Sequence, residues 1–203
     1  MLRKYLYNCF KPEGRFGAWV LKGMNKGHAA LASWGLNFFD IQDGQRILDI
    51  GCGGGANIAR LLHSYPSSLV DGIDHSLQSV LVSKQLNQEA IIMQRCHIYQ
   101  ADVQALPLED SSYERVIAIE TVYFWPDIIK CFKEVQRVLS KGGSMLIVCE
   151  MSDPIKGQKW SKYCEQMKIY KPQELKKSLE AAGFENIIIH EKGTWLAIIA
   201  TKT

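Results

Sequence analysis

The sequence lacks any apolar run long enough to cross a membrane. Its longest apolar segments, RVIAIETVYFW and WLAIIA, are far shorter than the roughly 20 residues that a transmembrane helix needs. The first residues, MLRKYLYNCFKPEGR, also lack the apolar core and the cleavage site of a signal peptide. We therefore expect a cytoplasmic protein that has no membrane partner.

The sequence also lacks paired cysteines and clustered metal ligands. Its 6 cysteines form no C-x-x-C pair, and Cys52, Cys131 and Cys149 lie in or beside apolar segments. Reduced thiols in a reducing compartment explain this pattern, and the sequence predicts no metal site.

A strong excess of either charge is absent as well. The net charge of +3 is too small to favour a nucleic-acid partner, and we expect a monomer or a homodimer. One local bias lies in residues 156–177, where lysines outnumber Glu165 and Glu174. A solvated surface explains this bias, although an anionic substrate would also suit it.

What the chain does contain is a regular alternation of short apolar runs and longer amphipathic ones. This pattern is typical of β-α units wound into a mainly parallel sheet, and 203 residues suit a single domain. The predicted strands are 46–50, 69–74, 96–102, 115–120 and 144–150, and the predicted helices between them are 56–64, 76–87 and 126–139, the last closed by SKGG.

The two ends of the chain depart from the alternation. Residues 14–36 predict one or two amphipathic helices, hinged near Gly23 or Gly27 and packed over the sheet edge. Near the other end, a helix should begin at Pro172 and end at Gly183. The segment NIIIHEKGTWLAIIATK then predicts an antiparallel hairpin that closes the sheet.

A glycine-rich loop, GCGGG, follows the first predicted strand and precedes a helix. Its spacing fits a dinucleotide site through Gly51, Gly53 and Ala56, but it also fits a different fingerprint through Gly51, Gly53 and Gly55. Asp49 would repel a pyrophosphate, whereas its carboxylate suits an ammonium or a sulfonium. The loop therefore favours a cationic ligand over NAD.

Two more acids end the second and third predicted strands. Asp74 is placed to accept hydrogen bonds from both hydroxyls of a ribose. Asp102 is placed to accept from an exocyclic amine, with Val103 against a purine ring. Each acid alone could be a helix cap or a turn residue. Together with the loop they indicate a site for a nucleoside that carries a positive charge.

These motifs resemble those of the class I S-adenosylmethionine-dependent methyltransferases, and most closely the type 11 or UbiE-like small-molecule group. The resemblance rests on ILDIGCGGG, VDGIDHS, ADVQALPLEDSSYERVIAIETVYFWPD and LSKGGSMLIV, in that order. It implies a Rossmann-like α/β fold whose seven strands lie in the order 3-2-1-4-5-7-6, with the last strand antiparallel. It also implies S-adenosylmethionine as cofactor and S-adenosylhomocysteine as product.

By position, the resemblance assigns the methionine moiety to Asp49 and the glycine loop, the ribose to Asp74, and adenine to Asp102 and Val103. Cys52 is expected to pack and not to act as a nucleophile. The cofactor-binding residues so implied are Asp49, Gly51, Cys52, Gly53, Gly55, Asn57, Asp74, His75, Ser76, Asp102, Val103, Glu120 and Thr121.

Methyl transfer from a sulfonium is an in-line displacement that is accelerated mainly by proximity and orientation. A base is needed only where the acceptor must lose a proton. The candidates are His28, His75 and Glu120, followed by Tyr123 and Tyr170, and we favour His28, Glu120 and Tyr123. Aromatic residues at the same sheet edge predict an enclosed apolar pocket for a small molecule. They are Trp19, Trp34, Tyr123, Phe124, Trp125, Trp160 and Tyr163, joined by Met24.

The expected organisation is an N-terminal helical cap (1–43), a cofactor-binding core (44–150) and a substrate-side segment with the hairpin (151–203). Three alternatives remain open at this point. They are an NAD-dependent oxidoreductase, a regulatory protein that binds S-adenosylmethionine without catalysis, and a methyltransferase acting on RNA or protein.

Overall fold

Seven strands form one mixed sheet in this computed structural model, which describes residue 12, residues 14–164 and residues 166–203. The strands are β1 (Arg46–Ile50), β2 (Leu69–Asp74), β3 (Ile98–Gln100), β4 (Tyr113–Ile119), β5 (Leu139–Cys149), β6 (Glu185–Lys192) and β7 (Trp195–Thr201). Their order is β3-β2-β1-β4-β5-β7-β6. Strands β1 to β5 are parallel, and β7 runs antiparallel to both of its neighbours. The predicted strand order and the closing hairpin are confirmed.

Helices precede the sheet and connect most of its strands. They are α1 (Gly14–Gly27), α2 (Ala29–Leu36), α3 (Ala56–Ser64), α4 (Leu77–Leu86), α5 (Gln88–Ile92), α6 (Ile128–Val138), α7 (Gln158–Tyr163) and α8 (Pro172–Ala181). A short 3-10 helix, Val122–Phe124, follows β4. In the part of the chain that the structure describes, no helix is long and apolar enough to cross a membrane.

The central strands are buried on both faces because helices cover each side of the sheet. On one face, Phe132 of α6 and Leu175 of α8 belong to a single apolar cluster with residues of β4 and β5. On the other face, Leu31 of α2, Leu61 of α3 and Val80 of α4 form a second cluster. Burial on both faces explains why these strands are continuous apolar runs.

The N-terminal helices break between Gly27 and Ala29, so the hinge predicted near Gly27 is confirmed. Their placement differs in part from the expectation. Helix α2 lies on a face of the sheet and not over its edge, because Gly35 brings its backbone against the side chain of Val148 in β5. A methyl group at Gly35 would overlap Val148, so glycine permits this close approach.

Several predicted boundaries were wrong. Helix α6 begins at Ile128 and not at Pro126, because the Asp127 side chain caps it by accepting from the Lys130 N–H at 3.1 Å. The helix ends at Val138, one residue before the predicted end, but the SKGG segment lies within β5, which begins at Leu139 and pairs there with Tyr113. Strand β3 is shorter than predicted, and β4 begins two residues earlier.

Candidate active site

The glycine loop leaves the carboxyl end of β1 with three glycines in the left-handed backbone region. Gly51, Gly53 and Gly55 have φ angles of 76°, 52° and 77°. A side chain at Gly51 would overlap Thr121, and one at Gly55 would overlap Ser83. Gly53 is different, because the nearest atom to an added methyl group would be Leu21 Cδ2 at 3.7 Å. Two glycines therefore permit packing, and Gly53 leaves the backbone bare beside open space.

That open space is a cavity of about 290 Å³ at the carboxyl edge of the sheet, here called the first cavity. The ends of β1, β2 and β4 and residues of α1 line it, because the carboxyl ends of parallel strands lie together at one edge of the sheet. The predicted residues that line it are Gly51, Cys52, Gly53, Asn57, Asp74, His75, Asp102, Val103, Glu120 and Thr121, together with His28.

Three predicted cofactor residues, Asp49, Gly55 and Ser76, lie outside the wall of this cavity. Gly55 is the N-cap of α3. Ser76 caps α4 by accepting from the Ser79 N–H at 3.3 Å, and its hydroxyl donates to the Pro12 carbonyl at 2.9 Å. Gly55 and Ser76 therefore shape the elements around the cavity.

Asp49 is a buried acid with one carboxylate oxygen that lacks a hydrogen-bond partner among the described residues. Its side chain is 1% exposed, and that oxygen is Oδ2. Burial, aided by the nearby charge of Asp74, raises the pKa of Asp49 to about 7. A buried carboxylate with a free oxygen is stabilised by a cation, because a bound positive charge would restore its ionised form.

Asp74 and Asp102 hold local structure as well as lining the first cavity. Asp74 accepts from the Gly53 N–H at 2.9 Å and from the Ser76 N–H at 2.8 Å, so it fixes the glycine loop. Burial raises the pKa of Asp74, and these hydrogen bonds oppose the rise. Asp102 accepts from the Gln104 N–H at 2.8 Å in a tight turn. The sequence left open whether each acid is a turn or cap residue or part of a ligand site. In the structure, both acids hold local backbone and also line the first cavity.

A second cavity, of about 450 Å³, adjoins the first. Four residues line both cavities: Met24, His28, Glu120 and Phe124. The other walls of the second cavity are Gly23, Gly27, Tyr123, Glu150, Met151, Lys159, Trp160, Cys164, Met167 and Thr194. Half of these fourteen lining residues carry apolar or aromatic side chains and two more are glycines, a composition that suits a small-molecule site.

Glu120 lies at the junction of the cavities in a strained conformation, with a φ of 61°. Its Oε1 atom accepts from the Tyr123 hydroxyl at 3.1 Å and from the Glu150 N–H. The same Tyr123 hydroxyl accepts from the Met151 N–H at 2.9 Å. Burial raises the pKa of Glu120 to about 7 and raises that of Tyr123 well above its usual value. Glu120 is therefore poised near neutrality, whereas Tyr123 holds it in place.

His28 faces two carboxylates across the junction. Its Nε2 atom lies 3.9 Å from Glu120 Oε2 and 4.0 Å from Glu150 Oε2. Burial lowers the pKa of His28, against an opposing effect of Glu150, so the neutral imidazole is favoured. The ligand-type atoms of all three side chains lie within 4.8 Å of one another, although the sequence predicted no metal site.

Glu150 is the residue that sequence reasoning missed. It directly follows β5, and Asp74 ends β2 at the same edge. The signal that identified Asp74, an acid at the end of a buried strand, was therefore also present for Glu150.

The predicted aromatic wall is confirmed for some residues and wrong for others. Phe124 and Trp125 line the first cavity, and Tyr123, Phe124 and Trp160 line the second. Trp34 packs instead on Phe38 and Trp195, with ring centroids 5.3 and 5.8 Å apart. Trp19 is 64% exposed and lines neither cavity. The Tyr163 side chain lies outside the described residues.

Comparison with known proteins places the chain in a family. The sequence profile of the methyltransferase domain family matches residues 48–147. Cycloartenol-C-24-methyltransferase of Arabidopsis thaliana is 35% identical over 102 residues, which are 50% of this chain and 30% of that protein. An uncharacterized methyltransferase of Bacillus subtilis, YdaC, is 26% identical over 163 residues, 80% of this chain and 83% of that protein.

A solved structure supports the same fold. The SAM-dependent methyltransferase from Aquifex aeolicus superposes with a TM-score of 0.76 at 18% identity, covering 92% of this chain and 98% of that one. The match spans 30% of the length of the cycloartenol-C-24-methyltransferase. From the domain match, the strand order and the glycine loop, the chain belongs to the class I S-adenosylmethionine-dependent methyltransferases.

Proposed function

We propose that this protein transfers a methyl group from S-adenosylmethionine to a small-molecule acceptor by in-line displacement. One observation carries the proposal: the two cavities share Met24, His28, Glu120 and Phe124 as a common wall. A donor in the first cavity and an acceptor in the second would meet beside these shared residues, where the two cavities adjoin. Holding two reactants in line lowers the barrier by up to roughly 7–11 kcal/mol.

The residues around the first cavity fit the cofactor. The Oδ2 atom of Asp49, which lacks a partner among the described residues, suits a positive charge, and the bare backbone at Gly53 accepts a ligand at close range. We assign the ribose hydroxyls to Asp74, and adenine to Asp102 and Val103. The bound cofactor supplies an activated methyl group, and the chain supplies orientation and exclusion of water.

We assign the base to the junction between the cavities. Glu120, with a pKa of about 7, and the neutral imidazole of His28 can each accept a proton near neutral pH. Tyr123 acts as a positioning residue, since its hydroxyl holds Glu120 Oε1. Cys52 is buried with a strongly raised pKa, which agrees with a packing role.

The same cavities support the proposed organisation of the chain. Residues 1–43 contribute Leu21, Met24 and His28 to the first cavity, which suits a cap. Residues 151–203 contribute Met151 and Trp160, among others, to the second cavity, which suits an acceptor-side segment. Residues 44–150 supply the rest of the cofactor site.

Calorimetry with S-adenosylhomocysteine and with NAD tests the proposal directly. We expect S-adenosylhomocysteine to bind and NAD not to bind, and the reverse would restore the oxidoreductase alternative. A screen of small acceptors with labelled cofactor then separates an enzyme from a regulatory binding protein. Strong, salt-dependent binding of polynucleotides would instead support RNA as the acceptor.

A further inference from the structure

The junction between the two cavities carries three polar side chains, His28, Glu120 and Glu150, which we call the acidic junction. Resting on the proposed function, we propose that the methyl acceptor is a primary amine on an apolar or aromatic body. Its ammonium form binds to the acidic junction before transfer.

The spacing of the acidic junction can be compared with that of the acceptors around an ammonium group and around a metal. An ammonium that donates three hydrogen bonds of about 2.8–2.9 Å at tetrahedral angles holds its acceptors roughly 4.6–4.7 Å apart. Here the acceptor atoms are 3.9 and 4.0 Å apart for the two histidine pairs, and all lie within 4.8 Å. A metal with bonds of about 2.1 Å draws its ligand atoms to roughly 3.0–3.4 Å. The two histidine distances lie between the metal and ammonium values, so the spacing accommodates an ammonium after a small opening of the junction, and the charge and lining of the cavity decide between the two.

The charge of the acidic junction favours a positively charged acceptor over an anionic one. Glu120 and Glu150 contribute carboxylates, and His28 contributes a nitrogen lone pair in its neutral form. In the described wall of the second cavity, Lys159 is the only lysine or arginine, and its ammonium lies 4.9 Å from the Trp160 ring centroid. A carboxylate or phosphate acceptor would be repelled at the junction, whereas an ammonium would be attracted.

The rest of the second cavity accommodates the body of such an amine. Met151, Met167 and Trp160 supply apolar and aromatic surface, and Phe124 lies at the boundary with the first cavity. Aromatic rings near an ammonium add attraction through their electron-rich faces. The volume of about 450 Å³ lies in the range of ligand-sized pockets.

The residues of the acidic junction account for the proton and the charges of the transfer step. The bound ammonium gives one proton to His28 Nε2 and becomes a neutral amine. The amine nitrogen then forms a bond to the methyl carbon as the carbon–sulfur bond breaks, and the bonding electron pair stays on sulfur. The product is a secondary ammonium that Glu120 and Glu150 still neutralise, and the proton on His28 passes to solvent.

Matched pairs of amine and alcohol test the inference. Tryptamine, phenethylamine and hexylamine are titrated by calorimetry into protein saturated with S-adenosylhomocysteine, beside tryptophol, phenethyl alcohol and hexanol. We expect at least one amine to bind at least about tenfold more tightly than its alcohol, because hydrogen bonds to charged groups contribute that much or more. Glu150→Gln should remove most of this preference while leaving alcohol binding and S-adenosylhomocysteine binding unchanged. Glu89→Gln, at an exposed site on α5, is the matched control.

Four results would overturn the inference. The first is the absence of an amine preference in every pair. The second is an equal loss of S-adenosylhomocysteine affinity in Glu150→Gln, which would mean that the junction binds the cofactor. The third is Mn²⁺ binding that depends on Glu150. The fourth, failure of the wild-type protein to bind S-adenosylhomocysteine, would refute the proposed function itself and the inference with it.

Discussion

Replacing Asp49 with asparagine is expected to stabilise the ligand-free protein at alkaline pH. Burial raises the pKa of Asp49 from 3.8 to about 7, so the folded protein keeps a proton that the unfolded chain has already lost. Stability therefore falls as pH rises from about 4 to 7, and the full cost remains above pH 7. A difference of about three pKa units corresponds to about 4 kcal/mol.

The Asp49→Asn substitution removes the ionisable group while nearly keeping its shape. The expected gain in the free energy of unfolding is about 1.5 kcal/mol at pH 5 and up to about 4 kcal/mol at pH 8. Urea denaturation at both pH values measures this gain. Cofactor binding should respond in the opposite direction, because the amide cannot neutralise a cation.

Asp71→Asn is the matched control. Asp71 is also 1% exposed, but its carboxylate accepts from Tyr113 at 2.7 Å and from Arg46 at 3.2 Å, and it lies 3.0 Å from His97 Nδ1. Its replacement should destabilise the protein at both pH values. A loss of stability in Asp49→Asn at pH 8, comparable with that of Asp71→Asn, would refute the reasoning.

Further predictions concern the cofactor site and the packing of α2. Gly53→Val should abolish S-adenosylhomocysteine binding in calorimetry by filling the open side of the loop. Gly142→Val, with a similar positive φ and no atom within 4 Å, should bind normally. Asp74→Ala should raise the dissociation constant about ten- to a hundredfold through the loss of charged hydrogen bonds, and unchanged affinity would remove the ribose assignment. Gly35→Ala should lower the free energy of unfolding by about 1–3 kcal/mol through overlap with Val148, without changing cofactor affinity, as denaturation and calorimetry would show.

The pH dependence of cofactor affinity gives an independent check. If a bound cation favours ionised Asp49, affinity in the wild-type protein should fall by up to about tenfold for each pH unit below 7. The Asp49→Asn variant should lose this dependence. A flat profile in the wild-type protein would show that Asp49 does not take part.

The sequence was most informative where one physical requirement dominates. Strands β1 and β2 were predicted with their observed bounds, because strands buried on both faces must be continuous apolar runs. The end of α6 was predicted to within one residue, but the start of β5 was not, because SKGG is typical of a helix end while pairing with β4 drew Leu139 into β5. Tertiary pairing overrode the local signal there.

In the candidate site, too, residues placed by local pattern were predicted, whereas those that depend on tertiary contacts were not. The acids at strand ends identified Asp74 and Asp102, since position along a parallel sheet places them at one edge. The different roles of Gly51 and Gly53 were not predictable, because they depend on whether Thr121 or open space lies opposite. The contact between His28 and Glu150 joins residues far apart in sequence, and no local pattern encodes it.

The central claim is that a donor in the first cavity and an acceptor in the second react where the two cavities adjoin, at the residues that line both. The most direct measurement incubates the protein with S-adenosylmethionine carrying a trideuterated methyl group and the amine panel, and analyses the products by mass spectrometry. The account predicts an amine in which one hydrogen is replaced by a trideuteriomethyl group, at a rate greatly reduced in Glu120→Gln. Tight cofactor binding with no labelled product from any acceptor would contradict the account.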